Sequence, residues 1–366
     1  MTTVVDSGLE GVVVADTDIS LVDGAAGRLL YRGYEIGDLV RGRDGGTFEQ
    51  VVDLLLEGEW PRHPSSLPPS RLTDEVLAAL RALPATAAPL DALRTAVSAW
   101  GAAGRVDWPP TPDQVRELLA LAPAAVGAFA RLRNGDAPVT EIPEKLGVAA
   151  RLLYAISGTD PDPAAARGLE AYFISAAEHG FNASTFTCRV IISTRSDLAS
   201  AVCGAIGALK GPLHGGAPTG VEGQLAEIGT IENAEPWIRA ALARGERIMG
   251  FGHRVYRAGD PRAVALREVA KELAGDSDWM RLAVGVEEVA LRLLKEHKPD
   301  RQLPTNVDYY AAAVLQGVGL QPDLYPAAFA TARIAGWGAH ALEQAAKGRL
   351  IRPSARYVGP QRRELP

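Results

Sequence analysis

The chain has 366 residues, enough for about two domains, and its 47% hydrophobic and 22% charged residues are typical of a soluble globular protein. Lys and Arg number 38 against 44 Asp and Glu, and the resulting net charge of −6 argues against broad binding to nucleic acid or to an anionic membrane. A site for a phosphate or a carboxylate must therefore be a local cluster of cations.

The first predicted element is a short N-terminal β-hairpin. Two apolar runs, residues 17–22 and 28–33, flank a glycine-rich turn at 23–27. Thr47 lies three residues before Gln50 at the start of an apolar run, a capping-box pattern that begins a helix. Helical periodicity then recurs in nine segments: 90–100, 114–121, 145–157, 164–177, 198–210, 261–274, 284–295, 307–315 and 327–346.

These elements predict a mainly α fold. Strands do not alternate with helices after the hairpin, which argues against a doubly wound parallel sheet. Residues 325–342 are almost continuously apolar, but Arg333 and His340 interrupt them, and a central arginine is costly in a bilayer. We expect a buried core helix there rather than a membrane span.

Two features predict a cytoplasmic protein. Cys188 and Cys203 are the only cysteines, which argues against a disulfide framework or a cysteine metal site. Residues 1–8 show no basic start followed by an apolar block, so the sequence predicts no secretory or transit signal.

Polar residues that could carry chemistry collect where helices are interrupted. Three of the six histidines stand in breaks marked by glycine, proline or asparagine, and one aspartate begins an apolar helix. The four segments are 178–184 (EHGFNAS) with His179, 210–216 (KGPLHGG) with His214, 250–256 (GFGHRVY) with His253, and 304–310 (PTNVDYY) with Asp308.

Each of these segments also has a structural interpretation. A lone loop histidine is usually solvated or bonded to backbone, and Asp308 could be a first-turn carboxylate favoured by the helix dipole. Gly250 and Gly252 begin like a dinucleotide fingerprint, but Val255 stands where that motif has glycine. The histidine spacings match no compact set of metal ligands, so no metal is predicted.

Three arginines need an anionic partner. Arg262 lies in a DPR motif, Arg333 in the apolar helix, and Arg352 in the segment 349–353 (RLIRP). A guanidinium on an apolar helix stays charged, so it pairs either with an internal carboxylate or with a bound dicarboxylate. The residues alone leave both partners open.

The motifs taken together resemble the citrate synthase family. The resemblance spans nearly the whole chain and is weakest over 60–88 and 104–145. The matching segments, in order, are 8–14 (GLEGVVV), 31–36 (YRGYEI), 90–98 (LDALRTAVS), 178–185 (EHGFNAST), 207–216 (GALKGPLHGG), 250–262 (GFGHRVYRAGDPR), 306–308 (NVD), 333–337 (RIAGW), 352–353 (RP) and 357–360 (YVGP).

The resemblance implies a two-domain helical fold and a homodimer with shared active sites. A large helical domain would comprise residues 1–216 and 320–366, and a small helical domain would comprise 217–319. The cleft between them would hold the catalytic residues, and its closure would exclude water. No nucleic acid or membrane partner is expected.

The implied reaction condenses acetyl-CoA with oxaloacetate to give citrate and free coenzyme A. The coenzyme A thioester is a co-substrate, and no metal or permanently bound cofactor is expected. By resemblance, Asp308 is the base that forms the enolate, His214 donates to the enolate oxygen, and His253 faces the ketone oxygen of oxaloacetate.

The remaining positions implied by the resemblance bind the two substrates. Those for oxaloacetate are His179, Arg262, Arg333 and, from the neighbouring subunit, Arg352. Those for coenzyme A are Ile248, Gly250, Phe251, Gly252, Arg257 and Asn306, with Asn182 and Ser184 supporting the site from behind.

Alternatives to citrate synthesis stay open at this point. Pro218 and Thr219 follow the His214 motif where much of the family has Asn and an acidic residue, so propionyl-CoA and a 2-methylcitrate synthase remain possible. One methylene contributes only about 1–3 kcal/mol of discrimination. A non-catalytic ligand-binding relative and a nucleotide-dependent oxidoreductase are the more remote alternatives.

Overall fold

The structure is a computed structural model and describes residues 8–9, 11–41, 46–104, 107–212, 214–215, 217–253, 255–274 and 277–364. Residues 1–7, to which the prediction about a leader peptide refers, lie outside this range. So do four residues of the motifs quoted above: Glu10, Leu213, Gly216 and Arg254.

The predicted β-hairpin is confirmed. Strand β1 (Ser20–Asp23) pairs with β2 (Arg28–Tyr31) in an antiparallel register that sets Ser20 opposite Tyr31. The Asp23 carboxylate accepts two backbone N–H groups inside the turn, which stabilises it. A two-residue strand β3 (Tyr34–Glu35) continues the sheet beside β2.

Helices form the rest of the regular structure. The described residues contain the following α-helices: α1 Ile36–Arg41, α2 Phe48–Glu57, α3 Asp74–Arg81, α4 Pro89–Ala102, α5 Pro112–Leu132, α6 Val148–Ser157, α7 Pro163–Ala176, α8 Ala183–Ser193, α9 Leu198–Leu209, α10 Ala217–Ile228, α11 Ile231–Ala243, α12 Pro261–Ala274, α13 Asp278–His297, α14 Val307–Gly317 and α15 Tyr325–Lys347. A 3-10 turn, Pro322–Leu324, precedes α15.

Each of the nine segments predicted from periodicity overlaps one helix, and α12 has the predicted bounds. The capping box is confirmed, since the Thr47 hydroxyl accepts from Gln50 N at 3.2 Å and Gln50 Oε1 accepts from Thr47 N at 3.0 Å. Helices α1, α3, α8, α10 and α11 are not among these nine segments. Small polar residues at the start of α8 and Pro236 inside α11 weaken their local helical signal.

Helix α15 is the buried core helix that the sequence predicts. It contacts α2, α4, α5, α7, α8 and α9, and Arg333 and His340 are buried along it. At Gly336 it approaches the end of α7 closely, since Gly336 N donates to Ala177 O at 3.1 Å and a Cβ there would lie 2.4 Å from that oxygen. In the described part of the chain, no helix is long and apolar enough to cross a membrane.

Helices α10 to α14 pack mainly on one another. Helix α10 contacts α14, α11 contacts α13, and α12 contacts α14, whereas α12 and α14 also touch α7. The division into 1–216 with 320–366 and an inserted 217–319 stays a prediction. Cys188 is buried, Cys203 is half-buried, and both thiols are free.

Candidate active site

His214 is held by the start of α8. Its Nε2 lies 2.9 Å from the Ser184 hydroxyl, which donates to Asn182 Oδ1 at 2.8 Å and accepts from Trp337 Nε1 at 3.1 Å. Asn182 is the N-cap of α8, so one asparagine both begins the helix and holds Ser184. Burial, together with the charge of Arg333, lowers the pKa of His214 to about 4, so the ring is neutral at pH 7.

His253 is oriented by its own loop. Its Nδ1 accepts from the backbone N–H groups of Val255 at 3.0 Å and Tyr256 at 3.1 Å. Burial and the Arg262 guanidinium lower the pKa of His253 to about 4. A neutral ring that accepts at Nδ1 carries its proton at Nε2, so His253 presents an N–H donor.

His179 lies beside His253 and Tyr256. The His179 and His253 ring centroids are 5.5 Å apart, and His179 Nε2 is 3.2 Å from the Tyr256 hydroxyl. Burial lowers the pKa of His179 well below its usual value, and the nearby Arg262 and Arg333 lower it further. The three histidines predicted from the motifs are therefore all neutral.

Arg262 has a dedicated carboxylate partner. Its Nε and Nη2 donate to the two Asp260 carboxylate oxygens at 3.0 and 2.8 Å, and both residues are buried. Asp260 also accepts from Val307 N at 3.1 Å, so it ties the start of α12 to the start of α14. The sequence left open whether Arg262 pairs with an internal carboxylate or with a bound dicarboxylate. In the structure its partner is the internal carboxylate of Asp260.

Arg333 lacks such a partner. It is 2% exposed, its Nε donates to Ala176 O at 2.5 Å, and its guanidinium lies 4.7 Å from the Phe329 ring centroid. No carboxylate forms an ion pair with it among the described residues. Burial lowers its pKa, and Glu178 opposes that shift only in part. A buried and unpaired guanidinium is suited to an anionic ligand.

Asp308 lies in the first turn of α14 and is half-buried. The Asn306 side chain caps this helix and accepts from Asp308 N at 3.1 Å. Burial raises the pKa of Asp308 to about 6; the charge of Arg262 acts in the opposite direction, and Asp260 adds to the rise. A carboxylate with this pKa is ionised at pH 7 yet basic enough to accept a proton.

The glycine-rich loop before His253 joins the segment before Asp308. Phe251 forms an antiparallel bridge with Thr305, and Asn306 N and Nδ2 donate to the carbonyls of Gly250 and Gly252, both at 2.9 Å. The φ angles of these two glycines, 85° and 78°, favour glycine. Four of the residues predicted to bind coenzyme A are thus brought together beside Asp308.

The other predicted binding residues are placed differently. Ile248 is buried. Arg257 is exposed, and its backbone N donates to Gly24 O at 3.0 Å. Arg352 is exposed in the extended segment after α15, where it makes no hydrogen bond or ion pair with the residues that the structure describes. No contact within the described part of the chain joins the Arg257 or Arg352 side chain to the cluster.

The sequence reasoning missed a buried network behind His179. The Glu178 carboxylate accepts from Ser20 Oγ at 3.0 Å and from Gly180 N, and it lies 3.1 Å from His340 Nε2. His340 Nδ1 is 2.9 Å from Arg189 Nη1. His340 stands within a regular helix, so no loop signal marked it. Glu178 directly precedes His179, and that adjacency could have revealed it.

Tyr256 and Asp260 were also missed. Both lie inside the motif 250–262, between His253 and Arg262, and sequence proximity alone could have marked them as contacts of those two residues. No group of three or more potential metal ligands occurs within the described ranges. The prediction that no metal is needed stays untested.

Comparison with known proteins identifies the family of this chain. Residues 8–354 match the family described as "Citrate synthase, C-terminal domain". The chain belongs to the citrate synthase family. The resemblance found in the motifs is thereby confirmed, and so is the predicted mainly α, citrate-synthase-like fold with its N-terminal hairpin.

Relatives match over nearly their whole length. "Citrate synthase 2" of Bacillus subtilis is 40% identical, with 98% of this chain and 97% of the relative covered. A 2-methylcitrate synthase of Mycobacterium tuberculosis is 38% identical over 99% and 92% of the two chains. The solved ternary complex of Thermoplasma acidophilum citrate synthase with carboxymethyl coenzyme A and oxaloacetate has a TM-score of 0.88 at 29% identity and covers 98% and 97%.

Proposed function

We propose that this protein is a citrate synthase. It condenses acetyl-CoA with oxaloacetate and releases citrate and free coenzyme A, through enolate formation, aldol-type addition and thioester hydrolysis. One observation carries the proposal: a half-buried carboxylate with a pKa of about 6, Asp308, stands near neutral histidines and buried arginines in a chain of this family.

Oxaloacetate binds through its two carboxylates. Arg333 supplies a buried guanidinium with no carboxylate partner among the described residues, and Arg262 supplies a second one that Asp260 holds in place. His179 adds a neutral N–H donor. Charge-assisted hydrogen bonds from arginine forks suit a small dianion.

Asp308 removes a proton from the methyl carbon of acetyl-CoA. Such a carbon acid is very weak, so the base needs a partner that stabilises the enolate oxygen as it forms. His214 is that partner. The Ser184 hydroxyl has one proton, which it donates to Asn182 Oδ1 in this structure. In the proposed reaction the hydroxyl turns and donates that proton to His214 Nε2, so the neutral ring carries its own proton on Nδ1 and donates it to the thioester oxygen.

His253 serves the other substrate. Two backbone N–H groups occupy its Nδ1, so Nε2–H donates to the ketone oxygen of oxaloacetate. The enolate carbon attacks the ketone carbon. The alkoxide that forms on the ketone oxygen takes its proton from His253 Nε2. Water then cleaves the citryl thioester, which releases citrate and the coenzyme A thiol.

The loop 248–252 and Asn306 form the proposed contact with coenzyme A. Support comes from its backbone, which the bonds from Asn306 hold in an open glycine-rich conformation next to Asp308. Phe251 is half-buried and supplies apolar surface, and Ile248 is buried and contributes through its backbone. Arg257 is the weaker candidate, because its exposed side chain has no described contact.

The reaction needs no metal and no permanently bound cofactor in this proposal, because side chains perform each proton transfer. Overnight dialysis against a chelator should leave the rate unchanged. We also propose a cytoplasmic location. The two free thiols support it, and cell fractionation tests it.

The deciding experiment measures thiol release from acetyl-CoA. We expect free thiol only when oxaloacetate is present. Propionyl-CoA, tested beside it, addresses the second candidate, 2-methylcitrate synthase, which the 38% identity to such an enzyme favours. A higher kcat/KM for propionyl-CoA would replace the first proposal with the second, and no release from either thioester would refute both.

The proposed active form is a homodimer in which Arg352 reaches the partner's site. In its support, Arg352 is exposed on an extended segment and has no partner in the described part of its own chain. Mixed dimers of an Arg352→Ala protomer and an Asp308→Asn protomer should regain activity, since one of their two sites is complete. Verified mixed dimers without activity would contradict shared sites.

A further inference from the structure

Tyr256 lies at the centre of the cluster and has no part in the chemistry proposed above. It is 1% exposed, and its ring centroid is 4.8 Å from that of His253 and 5.5 Å from that of His179. The Arg262 guanidinium carbon is 5.9 Å from the same ring centroid. Three proposed substrate-binding side chains therefore surround one tyrosine.

Among the described residues, the Tyr256 hydroxyl makes one hydrogen bond, to His179 Nε2 at 3.2 Å. Burial raises the pKa of Tyr256 far above neutrality, so the hydroxyl keeps its proton. The pKa of His179 is lowered by burial and by the arginines, so its ring has one N–H and one lone pair. The open question is which nitrogen of His179 holds the proton.

The surroundings of the hydroxyl decide the direction of this bond. If His179 donated from Nε2, the buried Tyr256 O–H would need another acceptor, and no described residue other than His179 lies within hydrogen-bonding distance of it. A buried donor without a partner is costly. Tyr256 therefore donates to Nε2, and the proton of His179 resides on Nδ1.

We propose that Tyr256 is a positioning residue that holds His179 in the Nδ1–H tautomer, so that the single N–H of this ring donates to a carboxylate of oxaloacetate. His179 Nδ1 has no hydrogen-bond partner within the described chain, and it is the remaining donor of the ring. The identity of the anion rests on the proposed function, whereas the tautomer does not.

The N-terminal hairpin keeps Tyr256 in this place. Arg257 N, one residue further, donates to Gly24 O in the hairpin turn at 3.0 Å. A Cβ on Gly24 would lie 2.1 Å from Val255 O, so only glycine allows the turn to approach this closely. The hairpin thus supports, from outside the cluster, the loop that carries His253 and Tyr256.

The first test reads the tautomer directly. In ¹⁵N-histidine NMR spectra of the wild-type protein without substrate, with signals assigned through a His179→Asn variant, we expect His179 to be protonated at Nδ1. Tyr256→Phe should shift it toward Nε2–H. Tyr310→Phe is the matched control, because that buried hydroxyl bonds to Glu287 away from His179, and it should leave the signal unchanged.

A wild-type ring protonated at Nε2, or an unchanged tautomer in a folded Tyr256→Phe protein, would overturn the proposal. The wild-type spectrum alone suffices if the variant does not fold. Neither result depends on enzymatic activity, so failure of the positioning role is distinguishable from failure of the proposed function.

The second test measures binding and kinetics. Loss of one neutral hydrogen bond predicts that Tyr256→Phe raises the KM for oxaloacetate, and its Kd by calorimetry, about three- to tenfold. The KM for acetyl-CoA and the midpoint of thermal unfolding should match those of Tyr310→Phe. Equal rises in both KM values would indicate general damage to the site and contradict the proposal.

Discussion

The two buried arginines of the cluster, Arg262 and Arg333, differ in the partner that each has within the chain. Arg262 stands two residues after Asp260 and forms a two-pronged ion pair with it. Arg333 bonds to one backbone carbonyl and packs on Phe329, with no carboxylate paired to it among the described residues. The same residue type is thus a neutralised, fixed group in one place and an uncompensated charge in the other.

The pKa shifts of the two groups follow this difference. Burial by itself lowers the pKa of Arg262, but the charge and hydrogen bonds of Asp260 reverse that effect and raise it. The pKa of Arg333 stays lowered, because burial outweighs the attraction of Glu178. An anion that enters the site therefore gains most from Arg333, whereas Arg262 is already oriented before the anion arrives.

The largest expected effect is a fall in kcat that leaves oxaloacetate binding by the two arginines nearly unchanged. Asp308→Asn should lower kcat about 10²–10⁴-fold, because an amide cannot accept the proton. Oxaloacetate affinity, measured by calorimetry, should change little, since Arg262 and Arg333 remain. Asp323→Asn, an exposed carboxylate that pairs with Arg133, is the matched control and should keep the wild-type rate. A wild-type kcat in Asp308→Asn would remove this residue from the mechanism.

The next effect is a loss of stability at the paired arginine. Arg262→Met leaves Asp260 buried without its cation, so we expect the free energy of unfolding in urea to fall by about 3–5 kcal/mol. Arg239→Met, which breaks exposed ion pairs with Glu235 and Glu296, should change it little. Similar losses in the two variants would mean that Asp260 does not depend on Arg262.

At Arg333 we expect a change in oxaloacetate binding rather than a loss of stability. Arg333→Met should weaken oxaloacetate binding about 10- to 100-fold, the range for losing a charged hydrogen bond. The free energy of unfolding should hold or rise, because the removed charge is buried and has no carboxylate ion-pair partner among the described residues. Unchanged affinity by calorimetry would show that the dianion does not use this guanidinium.

The smallest expected effect is a pH dependence of kcat/KM, set by the titration of Asp308 near Arg262. Asp308, with a pKa of about 6, must be ionised to act as a base, so kcat/KM for acetyl-CoA should fall as the pH drops through 6. We expect about half the maximum at pH 6 and about a tenth at pH 5. His214 and His253, with pKa values of about 4, stay neutral across this range. A limb centred near pH 4 would assign the titration to these histidines instead.

Local chemistry made several features predictable. The Thr47 capping box and the hairpin turn depend on neighbours within a few residues, so their patterns identified them. Asn306 and Asp308 at the start of α14 are likewise close in sequence. Arg262 and Asp260 form a pair that proximity along the chain could have predicted.

Other features depend on residues far apart in the sequence. The bond between His214 and Ser184, and that between Tyr256 and His179, each join different motifs. His340 gained a role only because α15 passes behind the His179 loop, where Glu178 lies. No periodicity or spacing rule predicts such contacts, because they depend on how helices pack.

The sequence by itself determined the family, the mainly α fold and the identity of the polar residues. Motif order and helical periodicity depend only on residues that are close together in the sequence. The tertiary structure alone decided that Arg333 has no carboxylate partner among the described residues, which histidine nitrogen is occupied and how far burial raises the pKa of Asp308. Those properties depend on desolvation and on partners brought from distant segments, and both arise only when the helices pack together.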